Sequence, residues 1–147
     1  MISSRKIEDL HPKVQTMCRA FLDKCRAQGI EILITGTYRD AEEQNRLYAR
    51  GRTVLVENGH KVRKVTNAKA GQSAHNYRLA FDVVPLKNGK PVWGTAGSDL
   101  LLWMQVGNIG ESVGLEWAGR WTRFREFPHF QYLGGHPLRY FQQGGQL

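Results

Sequence analysis

One carboxylate inside an otherwise apolar segment constrains this chain more than any other feature. Residues 79–85 read Leu-Ala-Phe-Asp-Val-Val-Pro, a short run whose β-branched and aromatic residues predict a buried strand. Asp82 lies at the centre of that run. An isolated ionised carboxylate is very costly to bury, so a charge in this position must be paired or bound to a cation. The fold therefore has to bring cationic or metal-binding partners to Asp82.

The first third of the chain predicts two helices on either side of a strand. An apolar stripe with helical spacing predicts a helix over residues 9–28, and Gly29 is a natural stop for it. Residues 30–35 are rich in β-branched side chains and predict a strand. A capping-box pattern begins a second helix at Asp40, and Gly51 ends it.

The remaining elements complete a small α+β domain. Residues 51–72 form a polar connection, with an Asn-Gly pair at 58–59 that favours a β-hairpin turn. A third helix is expected over residues 98–114 and a last strand over residues 127–133. We therefore expect residues 1–147 to form a single domain in which helices pack on a small antiparallel sheet.

Two short segments far apart in sequence carry the side chains of a zinc site. One contains His75 and Asp82, and the other contains Glu126 and His129. Two imidazoles, one carboxylate and a spare carboxylate provide three protein ligands and a general base, as in catalytic zinc sites that keep one position open for water. Alternatively, both histidines are partly buried structural residues and Asp82 caps a turn. The metal site, and with it a metallohydrolase, requires that the two segments meet in space.

The residues around these side chains resemble a known family. The pattern Ser-x-His with a later Asp, over residues 73–82, followed by Glu-x-x-His over residues 126–129, is similar to the signature of the D-Ala-D-Ala metallopeptidase (VanX/VanY-like) family. The likeness is greatest to L-alanyl-D-glutamate endopeptidases of phage endolysins, and matching blocks extend over roughly residues 30–132. Two positions depart from the endolysin pattern: Arg78 replaces a usual Gly, and Glu126 replaces a frequent Asp.

The resemblance implies a role for each polar residue of the site. One catalytic zinc ion would be bound by His75, Asp82 and His129. Glu126 would take a proton from the attacking water and return it to the leaving amine. Arg39 would stabilise the developing oxyanion or hold a substrate carboxylate. Residues expected to face the substrate are Ser73, Gln44 and Tyr48.

Two of these assignments have simpler alternatives. Arg39 precedes two acidic residues, so it is also placed to form a surface ion pair with Asp40 or Glu43. Ser73 is also placed to cap a turn, and no His-Asp relay surrounds it that would make it a nucleophile.

The expected function is cleavage of bacterial cell-wall peptidoglycan between L-Ala and D-Glu of the stem peptide, in a phage or prophage lysis enzyme. One alternative is a D,D-carboxypeptidase or dipeptidase acting on D-Ala-D-Ala ends. The other is a non-catalytic basic module that uses zinc only as structure. The latter fits poorly, because structural zinc normally has four protein ligands and only three are found.

Charge indicates which partners to expect. The formal net charge is +8, which favours an acidic partner such as nucleic acid or an anionic cell envelope. No nucleic-acid-binding motif is present, so the envelope surface is the expected partner besides the stem peptide. No apolar signal segment begins the chain, which predicts a host-cytoplasmic protein that reaches peptidoglycan through a membrane pore. We expect a monomer without a separate cell-wall-binding domain.

The two cysteines are expected to be reduced. Cys18 and Cys25 lie seven residues apart in the first predicted helix, which separates them by about 10 Å along its axis. That distance is too long for a disulfide bond, so both are predicted to pack as free thiols.

Overall fold

The computed structural model describes residues 1–147 as four α-helices and seven β-strands. The helices are α1 (Pro12–Ala27), α2 (Ala41–Ala49), α3 (Ser98–Ser112) and α4 (Leu138–Gln142). The strands are β1 (Glu31–Gly36), β2 (Val56–Glu57), β3 (His60–Lys61), β4 (Ala80–Lys87), β5 (Lys90–Pro91), β6 (Glu116–Trp117) and β7 (His129–Gln131). Short 3-10 helices cover Ile7–Asp9, Ala74–Tyr77 and Ala118–Arg120. No helix is both long enough and apolar enough to cross a membrane.

Five strands form one antiparallel sheet with β4 inside it. The order is β1-β4-β7-β6, and β5 pairs with the far end of β4. The strand predicted to be buried is thus paired on both edges, which satisfies its backbone polar groups. Strands β2 and β3 form a separate hairpin around Asn58 and Gly59. Both turn residues have positive φ, 50° and 78°, as a tight hairpin turn requires. The predicted α+β fold and this hairpin are confirmed.

Helices α1 and α3 cover one face of the sheet. Phe21 of α1 packs against Phe81 of β4 and Phe130 of β7, with ring centroids 5.9 and 4.9 Å apart. The three aromatic rings are fully buried. Because side chains alternate along a strand, Asp82 and His129 point to the opposite face from Phe81 and Phe130. The same two strands therefore supply the core on one face and polar groups on the other.

Both cysteines belong to the core stripe of α1. Cys18 and Cys25 are free and fully buried, as predicted. Burial raises the pKa of each thiol to about 12.

The boundaries differ from the predicted ones where local hydrogen bonds compete with the periodic pattern. Helix α1 begins at Pro12, not at residue 9, because Ile7–Asp9 forms a separate 3-10 turn. The His11 side chain then caps the helix by accepting a hydrogen bond from the Lys13 amide at 3.1 Å. The last strand is shorter than predicted and covers only His129–Gln131. Strands β5 and β6, helix α4 and the 3-10 turns were not predicted, because each is too short to show a period.

Candidate active site

Three separate elements place the candidate metal ligands. His75 lies in the 3-10 helix Ala74–Tyr77, Asp82 in β4 and His129 in β7. The hydroxyl oxygen of Ser73 accepts the His75 amide at 3.3 Å and begins the 3-10 turn as its N-cap. The turn therefore holds His75 at the entrance of the strand that carries Asp82.

The two segments meet as the metal-site prediction requires. Asp82 Oδ2 lies 3.2 Å from His75 Nε2, and Asp82 Oδ1 lies 3.2 Å from His129 Nδ1. The three ligand atoms all lie within 4.8 Å of one another. The histidines are buried, whereas the Asp82 side chain is 25% exposed, so the cluster opens to solvent through its carboxylate. Asp82 lies within β4, so the alternative in which it caps a turn is wrong.

Contacts behind the cluster leave one nitrogen of each imidazole free to bind a metal. His75 Nδ1 donates to the Thr37 carbonyl oxygen at 2.7 Å, so Nε2 keeps its lone pair. His129 Nε2 donates to Gln131 Oε1 at 2.7 Å, so Nδ1 is the nitrogen that faces Asp82. Metal-binding histidines are usually anchored in this way, and the donor set therefore fits a zinc ion.

Gln131 was not identified from the sequence. It follows His129 by two residues in the same strand, so both side chains lie on one face of the sheet. The sequence signal for Gln131 is its position two residues after a candidate metal ligand in a predicted strand.

Electrostatics favour the charged form of Asp82. Burial by itself would raise the pKa of this carboxyl group, but the neighbouring His75 and His129 hold it well below its usual value. For His129, burial would lower the pKa, and the hydrogen bond and charge of Asp82 raise it overall. Asp82 is thus an ionised carboxylate, which is the form that binds a metal ion.

Glu126 lies beside the cluster without being part of it. Its Oε2 is 3.7 Å from His129 Nδ1, and its side chain is 48% exposed. The Glu126 amide donates to the Ala118 carbonyl at 3.2 Å, and the His129 amide donates to the Glu126 carbonyl at 3.3 Å. The residue thus occupies the position of a spare carboxylate next to the ligands, where a general base is needed.

Arg39 points at the cluster from the loop after β1. Its Nη2 lies 3.7 Å from Asp82 Oδ2, and its Nη1 donates to Gln44 Oε1 at 2.9 Å. Asn76 Nδ2 donates to the Arg39 carbonyl at 2.9 Å, which ties this loop to the 3-10 turn of His75. The alternative of a surface ion pair is wrong, because Asp40 caps α2 and Glu43 pairs with Arg46.

The three residues expected to face the substrate have different positions. Ser73 lines the cleft in front of the cluster and also caps the 3-10 turn. Gln44 is fully buried and does not line the cleft, since its amide nitrogen donates to the Ala68 carbonyl at 2.7 Å. Tyr48 also lies outside the cleft, where the Arg52 guanidinium stacks 3.8 Å from its ring centroid. The structure therefore gives Gln44 a role in holding Arg39 and gives Tyr48 no place in the cleft.

The cluster lies in a cleft of about 910 Å³. One wall contains residues 65–68, and the other contains residues 124–129. Trp121 stands over the cluster, with its ring centroid 5.6 Å from that of His129. Trp93 and helix α4 also line the cleft, and neither was expected from the sequence.

An antiparallel sheet that carries a His-Asp-His cluster in an open cleft, with a free carboxylate beside it, defines a metallopeptidase-type site. Residues 66–132 match a family model described as D-alanyl-D-alanine carboxypeptidase. The chain is 35% identical over 133 residues to the peptidoglycan L-alanyl-D-glutamate endopeptidase CwlK of Bacillus subtilis, covering 85% of this chain and 74% of that protein. The chain belongs to this family of metallopeptidases, which confirms the resemblance seen in the sequence.

Two further proteins are similar to this chain. The chain is 29% identical over 133 residues to the L-alanyl-D-glutamate peptidase of Listeria phage A118, covering 88% of this chain and 40% of that protein. It also superposes on a variant of the vancomycin-resistance D,D-pentapeptidase VanY in complex with Zn(II), with a TM-score of 0.62. That match has 16% identity and covers 92% of this chain and 80% of the other, so it supports the fold.

Proposed function

We propose that this protein is a zinc-dependent peptidoglycan endopeptidase that hydrolyses the L-Ala–D-Glu bond of the stem peptide. The observation that carries the proposal is the convergence of His75, Asp82 and His129 in a cleft beside Glu126. The choice of bond rests on the 35% identity to CwlK, which is named for this activity.

His75, Asp82 and His129 would hold a single zinc ion. Two neutral imidazoles and one carboxylate leave the site with a net positive charge. When bound, zinc supplies that charge to polarise an amide carbonyl and to lower the pKa of a water molecule toward about 7. The 25% exposure of Asp82 keeps the cluster accessible to an incoming peptide.

Glu126 and Arg39 carry the remaining chemistry. The Glu126 carboxylate accepts the proton of the attacking water and delivers it to the departing amino group. The Arg39 guanidinium, 3.7 Å from Asp82, holds donors toward the position where the oxyanion develops or a substrate carboxylate binds. Gln44 and Asn76 fix the Arg39 loop, so these donors are oriented before substrate arrives.

The proposed biological setting is lysis by a phage or prophage. The similarity to a Listeria phage peptidase supports this setting. In this proposal the protein accumulates in the host cytoplasm, passes a membrane pore made by another protein and acts as a monomer. The net charge of +8 supports binding to an anionic envelope surface near the peptidoglycan.

A D-Ala-D-Ala carboxypeptidase or dipeptidase is the second candidate. The description of the matching family model favours it, since residues 66–132 contain all three candidate ligands. A non-catalytic basic module is a weaker candidate, because three ligands and a free carboxylate suit catalysis better than structure.

Product analysis distinguishes these candidates. Purified peptidoglycan is digested with native, chelator-stripped and zinc-restored protein, and the products are identified by mass spectrometry. We expect peptides with a new N-terminal D-Glu that disappear on stripping and return with zinc. Released D-Ala or D-Ala-D-Ala would establish the second candidate, and the absence of any zinc-dependent product would support the binding module.

A further inference from the structure

Two large aromatic side chains in the cleft are exposed to solvent. Trp93 is 56% exposed and Phe124 is 67% exposed, and both line the cleft that contains the metal cluster. Val65 is also exposed and lines the cleft, whereas the exposed residues Leu55 and Leu101 lie outside it. Exposed aromatic rings beside a polar site are typical of binding surfaces.

The backbone around Trp93 is fixed although its side chain is free. The Val92 amide donates to the Pro85 carbonyl at 2.9 Å, and Trp103 Nε1 donates to the Gly94 carbonyl at 3.0 Å. Trp103 is itself a fully buried residue of α3. The core therefore anchors both residues that flank Trp93 and presents its indole to the cleft.

Phe124 is presented by a closed loop. The amides of Trp121 and Glu126 both donate to the Ala118 carbonyl, each at 3.2 Å, so the loop between them is tied at both ends. Phe124 has a φ of +52°, in the left-handed region that aromatic residues rarely adopt. Glu126 closes the same loop, so the aromatic ring and the candidate base are positioned together.

The substrate chemistry identifies what lies next to the reacting bond. In peptidoglycan, the amino group of L-Ala is joined to the lactyl group of N-acetylmuramic acid. Hydrolysis between L-Ala and D-Glu therefore occurs one residue from a sugar ring. At about 3.5 Å of chain per residue, that ring lies within roughly 10 Å of the reacting carbonyl, so it must enter or border the same cleft.

We propose that Trp93 and Phe124 form a sugar-binding platform for the N-acetylmuramic acid that bears the stem peptide. This inference rests on the proposed function, because it takes the L-Ala–D-Glu bond as the one hydrolysed. A pyranose ring presents C–H groups on its faces, and the electron-rich face of an aromatic ring attracts them. Contacts with the sugar would then increase the affinity for the substrate beyond that given by contacts with the peptide.

The test compares two substrates with the same stem peptide. One carries its disaccharide, and the other carries an N-acetyl group on L-Ala in place of the sugar. We expect the native protein to show about tenfold higher kcat/KM for the sugar-bearing substrate, by analogy with stacking of planar rings on aromatic side chains. Trp93→Ala and Phe124→Ala should reduce this ratio toward one through KM, while Trp93→Phe and Phe124→Tyr should keep most of it.

Leu101→Ala is the matched control, because Leu101 is a 70% exposed apolar residue outside the cleft and its loss should leave the ratio unchanged. Equal rates on both substrates in the native protein would overturn the sugar platform and leave the proposed function intact. Alanine variants that keep the native ratio but no longer sediment with phosphatidylglycerol vesicles would show that the platform binds lipid, and would also overturn it. Failure to cleave either substrate at L-Ala–D-Glu would instead overturn the proposed function.

Discussion

Asp82 and His129 are directly opposed residues on neighbouring antiparallel strands, and their side chains meet with Oδ1 and Nδ1 3.2 Å apart. The pairing of β4 with β7 alone brings together two candidate ligands that are 47 positions apart in sequence. A slip of one residue in this register would turn one of the two side chains into the core. The packed pair Phe81 and Phe130 on the opposite face opposes such a slip, so the hydrophobic core fixes the geometry of the candidate metal site.

Glu126→Gln should abolish most hydrolysis and leave the fold and metal binding intact. The amide keeps the shape of the side chain but cannot accept a proton, and general-base catalysis is typically worth about 10²–10⁴-fold. Rates on peptidoglycan, metal content and circular dichroism measure the three properties. Glu111→Gln is the control, because Glu111 pairs with Arg120 and does not line the cleft. Unchanged turnover of Glu126→Gln would remove Glu126 from the mechanism.

His129→Ala should eliminate the stabilisation of the protein by zinc. A ligand that binds only the folded state stabilises it by about 4 kcal/mol at a thousandfold excess over its Kd. The native protein should therefore show a higher Tm with zinc than after chelation, and the variant should show no difference. His60→Ala provides the control, since His60 lies in the exposed β2–β3 hairpin away from the cluster. A full zinc response in His129→Ala would place the ion elsewhere.

Gln131→Leu should weaken metal binding without removing a ligand. The variant loses the acceptor that orients His129 through Nε2, and changes of this kind typically cost about 10–100-fold in metal affinity. Competition with a zinc indicator measures the affinity. Gln105→Leu is the matched substitution at an exposed position of α3. Equal zinc affinity in Gln131→Leu and the native protein would show that this hydrogen bond does not orient the ligand.

Alkaline pH should destabilise the protein through Cys18 and Cys25. Burial raises the pKa of both thiols to about 12, from 9.0 in the unfolded chain, so the folded state binds these protons more tightly. Their contribution is fully present below pH 9.0 and is lost as pH rises toward 12. Urea unfolding between pH 9.0 and 12 measures how much the free energy of unfolding falls. The fall should be smaller in Cys18→Ala and Cys25→Ala than in the native protein. Rapid reaction of the native thiols with iodoacetamide near neutral pH would contradict their burial.

Gly110→Ala should destabilise the fold although alanine favours helix. A Cβ atom at this position of α3 would collide with the Phe130 ring. Overpacking of this kind typically costs about 1–3 kcal/mol, whereas replacing Gly with Ala within a helix gains about 1 kcal/mol. The free energy of unfolding in urea gives the net effect. Gln105→Ala, at an exposed position of the same helix, should lower the free energy of unfolding only slightly. An equal loss of stability in both variants would show that the Cβ atom does not collide with Phe130.

Local patterns predicted the elements with a clear period or turn signal. The apolar stripe predicted α1, the Asn-Gly pair predicted the β2–β3 hairpin, and Asp40 marked the start of α2. The ligand types also fixed the candidate site, because an aspartate inside an apolar strand requires cationic or metal-binding neighbours. These inferences depend on residues close together in sequence.

Contacts between distant segments decided the rest. Only the fold shows that Gln44 accepts a hydrogen bond from Arg39 and that Gln131 accepts one from His129. Only the fold shows, too, that Tyr48 stacks with Arg52 outside the cleft. Helix α4 and the exposed Trp93 likewise line the cleft without any periodic signal. The sequence by itself identified the side chains that could bind a metal, since ligand chemistry belongs to residue types. The tertiary structure decided which side chains surround them, since strand register and loop closure depend on packing across the whole core.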